Sequence, residues 1–296
     1  MKFLAIFGHL NIDVKIGVNS LPGPGEARGV TGLEEQFAGT AGNFAFVAHS
    51  LGLEFDLYST VGKSSHSDYL KRFRELGIST EHVDIVPDKM GPICYIPSDG
   101  KEQIAYMFQG PMEDWHPSKD FKYRNYKHID IGTGPVKEYK KIIKNEKNAS
   151  ITFDPGQEIW YTYSPENARF MIENSQMLIM NKKEFGYLEE LTGLEESEIS
   201  RKIRNIIITD GPNGAILIED GNSSIIHGIK ASHVKDTVGA GDSFRAGLYT
   251  ALYRGLNLKK SVMFANITAA MAIENRISEF HMTFDGVYDM LSTINA

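Results

Sequence analysis

The chain has 296 residues, 42% of them hydrophobic and 23% charged, with a net charge of −7. That length buries about three quarters of the unfolded surface, which excludes collagen-like, mini-protein and disordered readings. A mildly acidic chain without a Lys/Arg block is a poor nucleic-acid partner, and any phosphate chemistry must gather positive potential locally.

The first apolar run, residues 3–7, meets His9, Asn11 and Asp13 and has no small-residue cleavage site. It reads as a buried first strand of a cytoplasmic protein. Residues 14–37 hold Pro22, Pro24, Gly23 and Gly25 and no helix pattern. Phe44, Val47, Ala48 and Leu51 then share one helical face. A strand over 56–61 follows, then a helix carrying Tyr69, Leu70, Phe73 and Leu76 and closed by Gly77. Residues 87–110 read strand, turn, strand: 93–96 and 104–108 around Asp99-Gly100. The two helix-free stretches, 14–37 and 87–110, are expected to form a small sheet that projects as a lid. Two ordinary surface excursions are the plainer alternative. Cys94, the single cysteine, falls in this hairpin as a small apolar filler and excludes an intrachain disulfide. Strands are predicted at 128–132, 150–153, 177–180 and 205–209, solidly apolar as parallel strands covered on both faces are. Ser164-Pro165 reads as an N-cap followed by the first helical residue. The series predicts one doubly wound α/β domain over 1–296, a mostly parallel sheet flanked by helices, with the lid inserted. No apolar stretch is long enough to span a membrane.

The strongest local signal is Asp236-Thr237-Val238-Gly239-Ala240-Gly241-Asp242-Ser243-Phe244, with a helix predicted over 244–256. Glycines ahead of a helix let backbone N–H groups converge on an anion, and the helix dipole favours it. The N–H groups of Gly239, Ala240 and Gly241 are placed to hold a transferring phosphoryl group. Asp242, beside it, can accept the proton of an attacking hydroxyl. A glycine loop with Asp242 as a helix cap is the bland alternative. Gly62-Lys63-Ser64 is no P-loop, because Leu57 stands where the first glycine is required.

The nine-residue string resembles the C-terminal signature of the ribokinase/PfkB family of carbohydrate and nucleoside kinases. Further pieces follow the family's order along the whole chain. Gly8, Asn11 and Asp13 come after the first strand, and residues 38–45 resemble the N-terminal signature. Asn181-Lys182-Lys183-Glu184 matches its Asn-x-x-Glu motif, and residues 209–214 resemble its nucleotide loop. The resemblance implies a ribokinase-like fold, ATP as donor and Mg²⁺ as metal. It implies that Asn11, Asp13, Gly39 and Asn43 bind the acceptor, a carboxylate and an amide being suited to a diol. Turn and cap roles fit Asp13 and Asn43 equally well on local grounds. Asn181 and Glu184 would organise water and the metal, Glu184 through water, and the pair also fits a capping box. Thr209, Gly211 and Gly214 would touch the nucleotide, and Asn266 its adenine side. Asn266 also fits a plain polar position on a part-buried helix. Residues 274–280 lack the glycine of the family's loop, which argues against a monovalent-cation requirement and for a relaxed nucleotide-base preference.

Basic residues of the lid, Arg28, Lys89 and Lys101, are scattered, which disfavours a sugar phosphate as acceptor. The lid carries Phe37, Tyr95, Tyr106, Met107 and Phe108, a face for a nucleobase whose edge Gln109 could read. Lid packing, or a homodimer through the lids, fits the same residues. Similarity of residues 153–158 and 242–247 to archaeal nucleoside kinases favours transfer to a nucleoside 5′-hydroxyl, cytidine ahead of inosine, guanosine and adenosine. Arg245 either adds positive charge at the transfer point or forms a structural ion pair. A ribokinase-type sugar kinase and a non-catalytic nucleoside- or sugar-binding protein are the other readings. Neither nucleic acid nor membrane is expected as a partner.

Overall fold

The structure is a computed structural model that describes residues 1–294. Chain order sets the layers. β1 (Lys2–Phe7) runs through the interior, and β2 (Asn11–Val18) and β3 (Val30–Ala38) leave it as an antiparallel pair. α1 (Thr40–Ser50), β4 (Asp56–Gly62), α2 (Lys63–Leu76) and β5 (Val83–Val86) return to the body. β6 (Ile93–Ser98) and β7 (Tyr106–Phe108) make a second excursion. Then come β8 (Tyr126–Ile131), α3 (Val136–Asn145), β9 (Ser150–Phe153), α4 (Pro165–Asn174) and β10 (Met177–Asn181). α5 (Lys182–Thr192), α6 (Glu196–Ile199), β11 (Asn205–Thr209) and the hairpin β12 (Gly214–Glu219) and β13 (Asn222–His227) follow. α7 (Ala240–Tyr253), α8 (Leu258–Ala272) and α9 (Phe284–Ile294) finish the described chain.

The large sheet has nine strands in the order β13-β12-β11-β10-β9-β8-β1-β4-β5. Pairing is parallel from β11 to β5, and the β12–β13 hairpin adds an antiparallel edge. Unbroken apolar runs suit strands covered on both faces. In β1, Leu4 and Ile6 enter the core with Phe44, Tyr249 and Phe264, whereas Ala5 and Phe7 enter the opposite core with Ile129 and Ile151. All six strands expected from apolar runs are present. β5, β12 and β13 were not anticipated: β5 is a four-residue edge strand, and β13 carries Asn222, Ser223 and Ser224.

The four strands β3-β2-β6-β7 form a separate small sheet. β2 and β6 pair parallel, and β6 and β7 antiparallel. Asp99 holds the hairpin turn by accepting the N–H groups of Lys101 and Glu102, each at 2.9 Å. The sheet begins at Asn11, three residues before the expected start of that stretch. Gly77 closes α2 with φ of 80°, and the Ser164 side chain caps α4 at Asn167 N–H. α7 starts at Ala240, four residues before the expected 244. Gly239, with φ of 79°, turns the chain into the helix, so Gly241 lies within its first turn. No described helix is long and apolar enough to cross a membrane.

Candidate active site

From β1 the chain builds outward through β4 to β5 and returns on the other side of β1 as β8. Such a reversal opens a crevice at the carboxyl ends of the strands. Two cavities meet there. One, of about 490 Å³, lies between these strand ends and the small sheet, and Asn11, Asp13, Asn43, Asp154, Glu184 and Asp242 line it. The other, of about 440 Å³, is largely apolar, with Pro212, Ile229, Val234, Phe244, Ala270 and Ile273 in its wall. Thr209, Thr237, Ala240 and Gly241 border both. The glycine string is therefore the seam between a polar chamber and an apolar one.

At the seam, the N–H groups of Gly239, Gly241 and Asp242 have no backbone acceptor among the described residues. The Ala240 N–H differs from expectation: it closes a turn on the Thr237 carbonyl at 3.3 Å. A Cβ on Gly239 would lie 2.4 Å from Ile277 Cδ1 and 2.6 Å from Asn43 Nδ2, so glycine is required by space as well as by φ. Asp242 accepts from Asn43 Nδ2 at 2.9 Å and from Arg245 Nη2 at 2.8 Å. Burial pushes its carboxyl up to about 6, against the pull of Arg245 and Asn43. A base poised there is ionised at neutral pH yet basic enough to take a proton.

Arg245 resolves to a structural ion pair. It is fully buried and shared by Asp242, by Asp130 at 3.3 Å and by Asp154 at 2.6 Å. The Asp154 contact is one of charge, since Nε finds no aligned acceptor. Three carboxylates around one guanidinium leave no positive charge over for a phosphoryl group.

Asp13 and Asn11 stand across the polar chamber from the helix. Asp13 accepts no hydrogen bond from a described residue, and burial lifts its carboxyl to about 7. Asn11 donates weakly to Met107 Sδ at 3.7 Å, and its Oδ1 is buried without a partner. Both present unused acceptors to the chamber. Gly39, with φ of 95°, packs its backbone so close to Asn11 N that a Cβ would approach within 2.4 Å. Asn43 spends its amide N–H on Asp242, which leaves its carbonyl for a ligand.

Asn181 and Glu184 form a full capping box at α5. Glu184 Oε2 accepts the Asn181 N–H at 2.9 Å, and burial raises the carboxyl to about 7. With one oxygen engaged, the group fits a hydrated hard cation better than direct ligation, since Mg²⁺ keeps several waters and binds mainly through substrate phosphates. Thr209, Gly211, Gly214 and Asn266 all line the apolar chamber. Asn266 also donates to the Ile226 and His227 carbonyls at 3.4 and 3.2 Å, a structural bond that leaves its Oδ1 free.

Two expectations for the small sheet are corrected. Gln109 does not line the polar chamber; its carbonyl accepts from His9 Nε2, and its amide donates to buried Glu158 at 3.0 Å. The aromatic side chains face the other way. Asp13, Cys94 and Met107 are paired across the sheet, so their side chains share the chamber face. Tyr95 and Tyr106 form the next row and point outward, while Phe37 stacks on Tyr69 with ring centroids 4.6 Å apart. From the hairpin, Cys94, Ile96, Gln103 and Ala105 reach the chamber instead. Burial pushes the Cys94 thiol up to about 12, so it is a neutral filler of that wall. The sequence reading also missed Asp154, Gln157 and Trp160, which follow β9 into the chamber. The signal was present: Asp154-Pro155-Gly156 ends an apolar strand at the sheet's carboxyl edge.

Residues 1–280 match the pfkB family of carbohydrate kinases. The chain belongs to that family, and it is a phosphotransferase of the kinase class. Among similar proteins, a nucleoside kinase of Thermoplasma acidophilum is 42% identical over 96% of this chain and 94% of its own. The crystal structure of the Methanocaldococcus jannaschii nucleoside kinase superposes with a TM-score of 0.90 at 27% identity, over 99% of both chains.

Proposed function

We propose that the enzyme is an ATP-dependent nucleoside kinase that phosphorylates the 5′-hydroxyl of a ribonucleoside. The observation that carries the reading is the position of Asp242: a largely buried carboxylate in the polar chamber, rich in unused hydrogen-bond acceptors, next to Gly241 where that chamber meets the apolar one. The names and extents of the archaeal relatives support the acceptor class.

In this scheme the ribose hydroxyls donate to Asp13 and Asn11 Oδ1, and Asn43 contributes its carbonyl. The 5′-oxygen then lies at Asp242, which takes its proton as that oxygen attacks the γ-phosphorus of ATP and the bond to ADP breaks. N–H groups of Gly239 and Gly241 face the charge on the transferred group; fixed donors of this kind contribute on the order of 3–4 kcal/mol each. Mg²⁺, when bound, would neutralise phosphate charge, and Glu184 would hold its water shell. The adenine would occupy the apolar chamber, where the hydrogen-bonding side chains are few, so donor bases are discriminated weakly. The base of the acceptor lies toward Ile96, Gln103, Gln157 and Trp160. The small sheet covers the ribose as a lid, and its outward aromatic face pairs with a second copy.

A coupled ADP-release assay over a panel headed by cytidine, with inosine, guanosine, adenosine and free ribose, tests the reading. Turnover of a nucleoside well above ribose is expected. Turnover of ribose alone would make the enzyme a sugar kinase, and nucleoside binding without ADP release would make it a binding protein.

A further inference from the structure

Asp236 stands at the root of the loop that leads into α7, and its two carboxylate oxygens serve different parts of the molecule. Oδ1 accepts the Val238 N–H at 3.0 Å and so fixes the entry to the glycine string. Oδ2 accepts from the ammonium of Lys15, which reaches it from β2 of the small sheet. The root is pinned from the body as well: the N–H groups of Lys235 and Asp236 both donate to the Ile273 carbonyl, at 2.9 and 3.3 Å. The Lys15–Asp236 pair is partly shielded, with side chains 30% and 26% exposed. Burial raises the Asp236 carboxyl, but Lys15, the Val238 N–H and Gln36 together hold it below the usual range.

Lys15 lies two residues after Asp13, and alternation along a strand puts both on the chamber face. One short piece of β2 thus carries the unused acceptor of the polar chamber and the cation that grips the loop. Two other cations of this region are committed elsewhere. Arg245 is shared by three aspartates, and Lys182 faces Asp210 at 3.6 Å. A second tie between the small sheet and the body, Glu34 with Arg276, is more exposed and does not touch the glycine string.

We infer that Lys15 is a positioning residue for phosphoryl transfer: by gripping Asp236 it sets residues 237–241 so that the Gly239 and Gly241 N–H groups converge, and it links the acceptor on Asp13 to that cradle through one strand. Lys15 lines neither chamber. The inference rests on the kinase reading above. Small displacements of a positioned cradle cost rate far more than affinity.

The test is Lys15→Met, of similar length without charge, with Lys15→Gln as a second variant and Lys15→Arg as the conservative one. Expected at about pH 9, where Asp13 stays ionised without the help of the Lys15 charge, are a fall in kcat of about 10–100-fold for Met and Gln, acceptor KM within about threefold, and recovery of most of the rate by Arg. Arg276→Gln, which breaks the other tie, should change kcat less than about threefold. Amide exchange in the free protein gives a readout independent of turnover: the Val238 and Ala240 N–H groups, which are hydrogen-bonded in this loop, should exchange about tenfold faster in Lys15→Met. Unchanged exchange there, or a loss confined to acceptor KM, overturns the inference. Should the wild type turn over no nucleoside, the functional reading fails, and the exchange comparison still decides the role of Lys15.

Discussion

Asp13 shows how a single side chain trades stability for binding. Its carboxyl titrates near 7 in the folded protein against an ordinary value of 3.8, because burial removes water and the Lys15 charge only partly offsets that loss. An acid with a raised folded pKa binds its proton more tightly when folded. Its favourable contribution is therefore present at low pH and lost as pH rises through about 7. Asp13→Asn should raise the Tm of the free enzyme at pH 8 by roughly 2–4 °C, equivalent to about 1 kcal/mol. The gain should shrink toward pH 5, and differential scanning fluorimetry at the two pH values checks it. Acceptor KM should rise at least about tenfold in the same variant. For the wild type, acceptor KM should worsen as pH falls below about 7, where Asp13 protonates. Turnover should fall further below about 6, where Asp242 does. A steady-state pH profile separates the two.

At the scale of elements, α7 is held by charge as much as by packing. Arg245, one turn into the helix, is the shared cation of Asp130 from β8, Asp154 after β9 and Asp242 on its own helix. Arg245→Met keeps the apolar stem but leaves buried Asp130 and the largely buried Asp154 and Asp242 uncompensated. Urea denaturation should show a loss of about 3–5 kcal/mol. A loss under 1 kcal/mol would mean that the acids protonate readily enough to make the cation dispensable. Much of this framework is legible in the chain. Apolar runs marked β1, β4 and β8–β11, and the glycine string marked the seam, because each reflects a local demand of burial or backbone freedom. The direction of the small-sheet side chains was not legible. It depends on β2 pairing with β6 some 80 residues later, and a period of two fixes alternation but not which parity faces the chamber. Gln103 was passed over for that reason; Gln109 was misassigned because the strand ends at Phe108 and the chain turns into a short helix there. Asp154 escaped because its partner Arg245 is distant in sequence, although the strand end before it was evident.

For the whole molecule, the outer face of the small sheet is the surface least like that of a monomer. Leu33, Tyr95, Tyr106 and Phe108 are exposed by 68%, 37%, 60% and 44% on this sheet. The chain as a whole exposes 14,011 Å², more than the roughly 12,500 Å² usual for a compact monomer of its size. A proposed dimer through these faces would cover the aromatic rows while leaving the chamber face free. Sedimentation velocity should find a dimer for the wild type and a monomer for the double variant Leu33→Glu, Tyr106→Glu. A wild-type monomer at micromolar concentration would contradict the pairing.

The two-chamber arrangement makes its most direct claim at Asp242. Phosphorus NMR of the product formed from ATP and cytidine, or whichever panel nucleoside turns over fastest, should show a nucleoside 5′-monophosphate. Asp242→Asn should form it about 10²–10⁴-fold more slowly while remaining folded. A phosphate on another hydroxyl, or an Asn variant as fast as the wild type, would contradict the account.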